Sequence, residues 1–235
     1  PAEDRGSNRE KERGEGSAGA YGGYSRGLEE VMVSEVHPMQ QALNALPRGA
    51  IWTPGKRDYP PMDLNTFRAR EVIKDRFSWA IPNEEALDAI AAVGPIVEIG
   101  AGTGYWAWLL QKRDVDVVAY DAAPPHFGCV NHWHRTSEST FTDVLTGGPQ
   151  EVVPHADRTL MLCWPPYDDP MAERALTLYL AAGGKRLVYI GESWGGCTGD
   201  NAFHTLLRDR MAGERMVDIP QWYGVHDYLA VYRVR

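Results

Sequence analysis

The feature that most limits what this chain can fold into is a change of rhythm at Pro95. Beyond it, short apolar runs at residues 96–99, 115–120, 159–164 and 186–190 alternate with segments of helical pattern at 104–112, 171–182 and 201–211. Runs of four to six apolar residues bounded by glycine, proline or charge are read as buried strands, and the longer periodic stretches as helices. Strands separated by helices run parallel, because a parallel crossover needs a connection about as long as a helix. Two last runs, 216–222 and 226–234 around Gly224, read as an antiparallel hairpin on a short glycine turn. The expectation is an α/β fold, a mostly parallel sheet with helices on both faces and a C-terminal antiparallel hairpin.

The part before Pro95 is different. Residues 1–27 hold seven glycines and five charges of each sign, with no Val, Ile, Leu, Met, Phe, Trp or Cys. Such a segment cannot offset its own ordering entropy, and it reads as a flexible tail. Leu28, Val31, Met32, Val36 and Met39 then follow a helical period to about Leu46, with a bend at Pro38. Residues 47–63 read as a loop, Asn65 and Thr66 as the cap of a helix to about Trp79, and Pro82-Asn83-Glu84-Glu85 as the start of a helix that stops at Gly94-Pro95. The division is a tail at 1–27, an N-terminal helical cover at 28–94 with Trp79 near the site mouth, and an α/β domain at 95–235.

Length and charge narrow the function. The 235 residues suit one full domain with an appendage. The tail is neutral, so the net charge of −8 belongs to residues 28–235. That argues against a nucleic-acid partner, since such binding draws on Lys and Arg displacing counterions. Three widely spaced cysteines, Cys129, Cys163 and Cys197, offer neither a disulfide framework nor a zinc site and fit a reducing cytoplasm. No long uncharged apolar stretch or leader pattern points to a membrane.

The most informative motif joins the first strand of the domain to its helix: Val97-Glu98-Ile99-Gly100-Ala101-Gly102-Thr103-Gly104. Its glycines let the backbone turn tightly and approach a ligand at the carboxyl end of a strand, where open α/β sheets bind ligands. A dinucleotide fingerprint needs its third glycine where Tyr105 stands, and the Gly-Lys-Ser/Thr of a phosphate loop is absent. Glu98 beside the loop suits an ammonium or a hydroxyl rather than a pyrophosphate.

At these residues the sequence resembles the class I S-adenosylmethionine-dependent methyltransferases, over residues 95–235. The resemblance implies a seven-stranded sheet and S-adenosyl-L-methionine as cofactor. It places the loop of Gly100, Ala101, Gly102, Thr103 and Gly104 under the methionine part, Glu98 near the amino group, and Asp121 on the ribose hydroxyls. It further implies Asp143 for the adenine amino group, with Cys163 and Trp164 beside the cofactor.

Trp164-Pro165-Pro166-Tyr167 is similar to the motif with which amino methylases of adenine, cytosine or glutamine recognise a planar amino group. The first position of that motif is a hydrogen-bond acceptor, and Trp164 can only donate. This departure separately disfavours a nucleic-acid substrate. Tyr167 stays as a catalytic candidate, and His134, one of three histidines with His126 and His132, as a general base. No metal site is read from these histidines. Glu192 and Asp200, in the glycine-rich stretch after the apolar run at 186–190, read as partners for a cation, Asp200 equally as a helix cap.

The reading that follows is methyl transfer to nitrogen or oxygen of a small or peptide-like substrate. Its rivals are amino methylation of nucleic acid or protein glutamine through Pro-Pro-Tyr, and a non-catalytic binding module whose site mouth is blocked by tryptophans.

Overall fold

Alternating side chains on the inner strands divide the protein into two cores, one on each face of a central sheet. The computed structural model describes residues 38–46, 50–55, 63–126 and 131–235, and residues 38–235 form one compact unit. In chain order the elements are α1 (Pro38–Asn44), β1 (Ile51–Trp52), α2 (Leu64–Arg76), α3 (Glu84–Ala91), β2 (Ile96–Ile99), α4 (Tyr105–Gln111), β3 (Val117–Asp121) and β4 (Leu145–Thr146). A 3-10 helix (Pro149–His155) follows, then β5 (Thr159–Cys163), α5 (Met171–Ala181), β6 (Arg186–Gly191), α6 (Asn201–Arg210), β7 (Met211–Asp218), β8 (Gln221–Trp222) and β9 (Tyr228–Val234).

Seven strands form one sheet in the order β4-β3-β2-β5-β6-β9-β7. The first five are parallel, and β9 runs antiparallel to both β6 and β7. Strand residues point alternately to opposite faces, so Met161, Val188, Ile190, Leu229 and Val231 join the core under α1–α4. Leu160, Leu162, Leu187 and Tyr189 join the core under α5 and α6. β2 is buried along its whole length, as a central parallel strand must be. The seven-stranded, mostly parallel sheet with helices on both faces and a terminal antiparallel hairpin is thus present.

Local chemistry sets the helix starts. The side chains of Asp63, Asn83 and Asp200 accept from the backbone N–H groups of Thr66, Ala86 and Phe203, at 2.7, 2.9 and 2.7 Å. The cap of α2 is therefore Asp63, two residues before the Asn65 expected. Pro38 is the first described residue of α1, a position that suits its missing N–H, and the bend expected at Pro38 cannot be followed because the residues before it are not described. The expected tail and residues 28–37 lie outside the described residues.

The terminal hairpin differs from expectation. β7 begins at Met211, directly after α6, and the connection to β9 runs through residues 219–227 instead of a short glycine turn. Within that connection β8 pairs antiparallel with β1, so a stretch expected to be loop holds a strand. This small second sheet ties the terminal hairpin to the segment before α2. Trp222 Nε1 donates to the Trp79 carbonyl at 2.7 Å, and Asn83 Nδ2 to the Asp218 carbonyl at 3.0 Å.

Candidate active site

The carboxyl ends of β2, β3 and β5 open into a cavity of ≈ 750 Å³, lined on the sheet side by Glu98, Gly100, Ala101, Gly102, Asp121, Cys163 and Trp164. Glu98 lies on the same face of β2 as Ile96, which faces the core under α1–α4. Its side chain is 1% exposed, and its Oε2 has no hydrogen-bond partner. Burial, and secondarily the nearby Asp121, push its carboxyl up to about 8. A buried acid with an unmatched oxygen on a cavity wall calls for a ligand group that donates to it.

Asp121, at the end of β3, organises the loop next to it. Its Oδ2 accepts from Gly102 N at 2.8 Å, and its Oδ1 from Ala123 N at 2.8 Å and Asn131 Nδ2 at 3.4 Å. A carboxylate has about four lone-pair sites, which leaves Oδ2 able to take a further donor.

His134 is buried against the other side of the loop. Its Nδ1 lies 2.8 Å from the Asp75 carbonyl oxygen. A carbonyl only accepts, so Nδ1 carries the proton and Nε2 of the neutral ring presents a lone pair. Burial lowers the ring's pKa against the opposing pull of the Asp75 carbonyl, which favours that neutral form. Nε2 stands 2.4 Å from the place a Cβ on residue 102 would occupy, and Gly102 has φ +54°. The ring and the loop fit only because residue 102 has no side chain.

The segment that carries His134 is clamped by Asp75 in the last turn of α2. The Asp75 carboxylate accepts from Arg135 N and Thr136 N, each at 2.6 Å, and from the Thr136 hydroxyl. Its carbonyl also accepts from the Ser137 hydroxyl at 2.7 Å. Nothing in the sequence marks this residue, because its partners lie some sixty positions away.

The remaining wall is aromatic. Trp164, at the end of β5, has φ +52°, which is strained for a residue with a side chain. Its ring stacks on Trp79 with centroids 4.5 Å apart at 13°, and its Nε1 donates to Asp227 Oδ2 at 2.8 Å. Asp227 is 1% exposed, and burial raises its carboxyl to about 7 although the Trp164 bond opposes the rise. Phe77, Trp106, Trp133 and Tyr167 also line the cavity, with Tyr167 66% exposed at the mouth.

Of the residues expected from sequence, Glu98, Gly100, Ala101, Gly102, Asp121, Cys163, Trp164, His134 and Tyr167 meet at this cavity. Thr103, Gly104 and Asp143 do not line it. The Thr103 hydroxyl is buried and donates to the Phe77 carbonyl. Gly104 caps α4 in the left-handed region, against Val144 and Thr142. Asp143 is exposed, and after β4 the chain reaches the cavity through Gly147, Gly148 and Pro149 instead.

Glu192 and Asp200 serve local structure. Glu192 is buried and accepts from Cys197 N and His226 N at 2.7 and 2.8 Å, while Asp200 caps α6. Burial raises the thiols of both Cys163 and Cys197, so neither is a ready thiolate. His126 and His132 are exposed, and no cluster of metal-binding side chains is found among the described residues. Among those residues no helix is long and apolar enough to cross a membrane.

No family model and no curated protein sequence matches the chain. Solved structures similar to it include the 1,6-didemethyltoxoflavin-N1-methyltransferase of Burkholderia thailandensis with bound 1,6-didemethyltoxoflavin and S-adenosylhomocysteine, at 17% identity over 78% of this chain and 94% of that one, TM-score 0.43. A SAM-dependent methyltransferase from Bacteroides fragilis in complex with S-adenosylhomocysteine matches at 16% identity over 85% and 95%, TM-score 0.39. Magnesium protoporphyrin IX methyltransferase from Synechocystis PCC 6803 with bound SAM matches at 10% over 74% and 86%, TM-score 0.39. The chain's own sheet, in the order β4-β3-β2-β5-β6-β9-β7, carries the glycine loop at the carboxyl end of β2 and ends in an antiparallel pair, a Rossmann-like α/β fold.

Proposed function

We propose that the protein is an S-adenosylmethionine-dependent methyltransferase acting on nitrogen or oxygen of a small or peptide-like substrate. The observation that carries this reading is the unpartnered, buried Glu98 carboxyl on the wall of a cavity floored by Gly100, Ala101 and Gly102. Trp106, which opens into the same cavity, has a buried Nε1 without a partner. One unmatched acceptor and one unmatched donor suit the ammonium and the carboxylate of an amino-acid end. Asp121 retains an acceptor site for ribose hydroxyls.

When bound, S-adenosylmethionine supplies an electrophilic methyl on a sulfonium. The chain's own residues need only orient the acceptor atom and relieve it of its proton. His134 is suited to taking that proton, because its Nδ1–H is held by Asp75, its Nε2 is bare, and burial favours the neutral ring. Tyr167 at the mouth covers the substrate side. The aromatic walls exclude water and strengthen the electrostatic contacts inside.

Two rival readings are less well supported. Trp164 stands where an amino methylase carries an acceptor, and its only donor is engaged by Asp227. A module whose mouth is closed by tryptophans would not keep ≈ 750 Å³ among them.

Isothermal titration with S-adenosylmethionine tests the cofactor assignment. Binding is expected for the parent and a strong loss for Gly102→Arg, while no heat at millimolar cofactor with both proteins alike would overturn it. Transfer of labelled methyl from the cofactor to a metabolite extract, with none to bulk RNA, DNA or protein, is the expected outcome for the substrate class.

A further inference from the structure

Among the described residues some buried indole N–H groups are paired and some on the cavity wall are not. Trp222, away from the cavity, donates to the Trp79 carbonyl, and Trp164 donates to Asp227. Trp79 and Trp106 both line the cavity, and both have a buried Nε1 with no partner. Leaving a buried donor unmatched is unfavourable, so such a group on a cavity wall marks where a ligand atom belongs. Trp106 follows the glycine loop and serves the cofactor end. Trp79 lies in the segment between α2 and α3 and stacks on Trp164 at the end of β5.

The surroundings of Trp79 specify that atom. The Lys74 ammonium stands 3.9 Å over its ring, and Trp164 stacks parallel to it at 4.5 Å. A cation and a stacked ring at those distances occupy opposite faces. With both faces covered, Trp79 offers the cavity an edge, and the edge of an aromatic ring is its electropositive part. The Lys74 ammonium that covers one face is itself paired with the Glu71 carboxylate at 2.9 Å. An electropositive edge with a free N–H receives an acceptor oxygen and repels a cation.

Trp164 completes the picture. Its N–H is taken by Asp227 and one face by Trp79, so what it adds to the lining is flat, apolar carbon surface. Its ring is held at both ends of this column, by a hydrogen bond and by stacking, and it cannot turn without losing both. A flat, fixed wall favours a flat partner, which covers it without giving up internal rotations on binding.

We propose that the substrate end of the cavity takes a flat, conjugated molecule bearing an acceptor oxygen, a carboxylate, phenolate or ring carbonyl, which lies along Trp164 and receives the Trp79 indole N–H. The proposal rests on the methyl-transfer reading for its place in a reaction, but not for its test.

The test is equilibrium binding in saturating S-adenosylhomocysteine, by calorimetry, of three probes: 2-naphthoate, flat with an acceptor; trans-decalin-2-carboxylate, an acceptor without a flat frame; and (naphthalen-2-yl)methylammonium, flat but cationic. The expected result is that 2-naphthoate binds at least about tenfold more tightly than either of the others. Trp79→Phe keeps a ring in the stack and removes only the N–H. It is expected to weaken 2-naphthoate by about tenfold, the scale of a lost bond to a charged acceptor, while S-adenosylhomocysteine binds it as it binds the parent.

Equal binding of the saturated acid or the ammonium overturns the proposal, as does no binding of 2-naphthoate at millimolar concentration. An unchanged affinity in a folded Trp79→Phe overturns it as well. The probe comparison on the parent protein stands if that variant fails to fold. A protein that ranks the probes as expected but does not bind S-adenosylhomocysteine supports the flat-ligand site and overturns the methyl-transfer reading instead.

Discussion

Glu98 shows how one residue's environment becomes a measurable signature. Its carboxyl is raised to about 8, so near neutral pH it is mostly protonated in the free protein. An ammonium placed beside it favours the ionised form and drives the proton off. Cofactor binding at pH 7 is therefore expected to release up to one proton, seen as a binding heat that varies with the ionisation enthalpy of the buffer. The apparent affinity rises with pH until about 8 and then levels. Glu98→Gln removes both effects, and a buffer-independent heat in the parent would contradict the role given to Glu98. Gly102 makes a second case. Adding a Cβ there costs about 1–2 kcal/mol for the left-handed backbone and forces the His134 ring aside. Gly102→Ala is expected to lose about 1–3 kcal/mol of stability. In a double-mutant cycle His134→Ala should relieve the part due to the clash. Additivity of the two changes, measured by urea unfolding, would show that ring and loop do not press on each other.

At the scale of elements, what was legible in sequence was what local chemistry alone decides. The apolar runs became β2, β3, β5 and β6 because central parallel strands are covered on both faces and so are built mainly of apolar residues, with Glu98 in β2 the buried exception. The glycine loop was legible because three glycines and an acid share one register, and those of its residues that reach the cavity are the first three, before the chain enters α4. Long-range features left no such trace. The two-residue strands β1, β4 and β8 are too short to show a period. The start of β7 is an exposed edge with a bulge between Gly213 and Arg215, so its Glu214 and Arg215 look like loop. Asp143 is exposed and does not line the cavity, since a position in a connecting loop cannot be assigned a direction from spacing alone. Asp75 was invisible for the converse reason, since its function lies wholly in partners distant along the chain. Asp75→Ala is expected to free the segment 131–137 from α2, raising its backbone amide exchange by about tenfold or more. Cofactor affinity is expected to fall less than the rate of methyl transfer, because the variant misplaces His134 without touching Glu98. Unchanged exchange in 131–137 would mean that the segment is held by other contacts.

For the whole molecule, two raised acids set a direction of pH dependence. Glu98 goes from 4.5 to about 8 and Asp227 from 3.8 to about 7 on folding. An acid raised in the folded state contributes stability that is fully present below its unfolded pKa and is lost as pH rises through its folded value. These groups therefore favour the folded protein in mild acid and disfavour it between about pH 4 and 8. The buried His134, whose pKa is lowered, works the other way on the acid side. The contribution of the acids is best read as a difference: the urea midpoint of the parent should fall relative to that of Glu98→Gln/Asp227→Asn as pH is raised over this range. Parallel curves would show that neither acid is desolvated in the free protein. The sheet order has a consequence in time as well as in space. The last strand of the chain, β9, lies between β6 and β7, and the connection before it ties down Trp79 through Trp222. During synthesis β9 leaves the ribosome after both β6 and β7, so those two strands cannot join one sheet, nor Trp222 anchor the aromatic wall, until the residues that follow them in sequence have been made. A nascent protein of this kind gains its binding site only once β9 has paired, and until then β6 and β7 each keep an open edge that another chain could take.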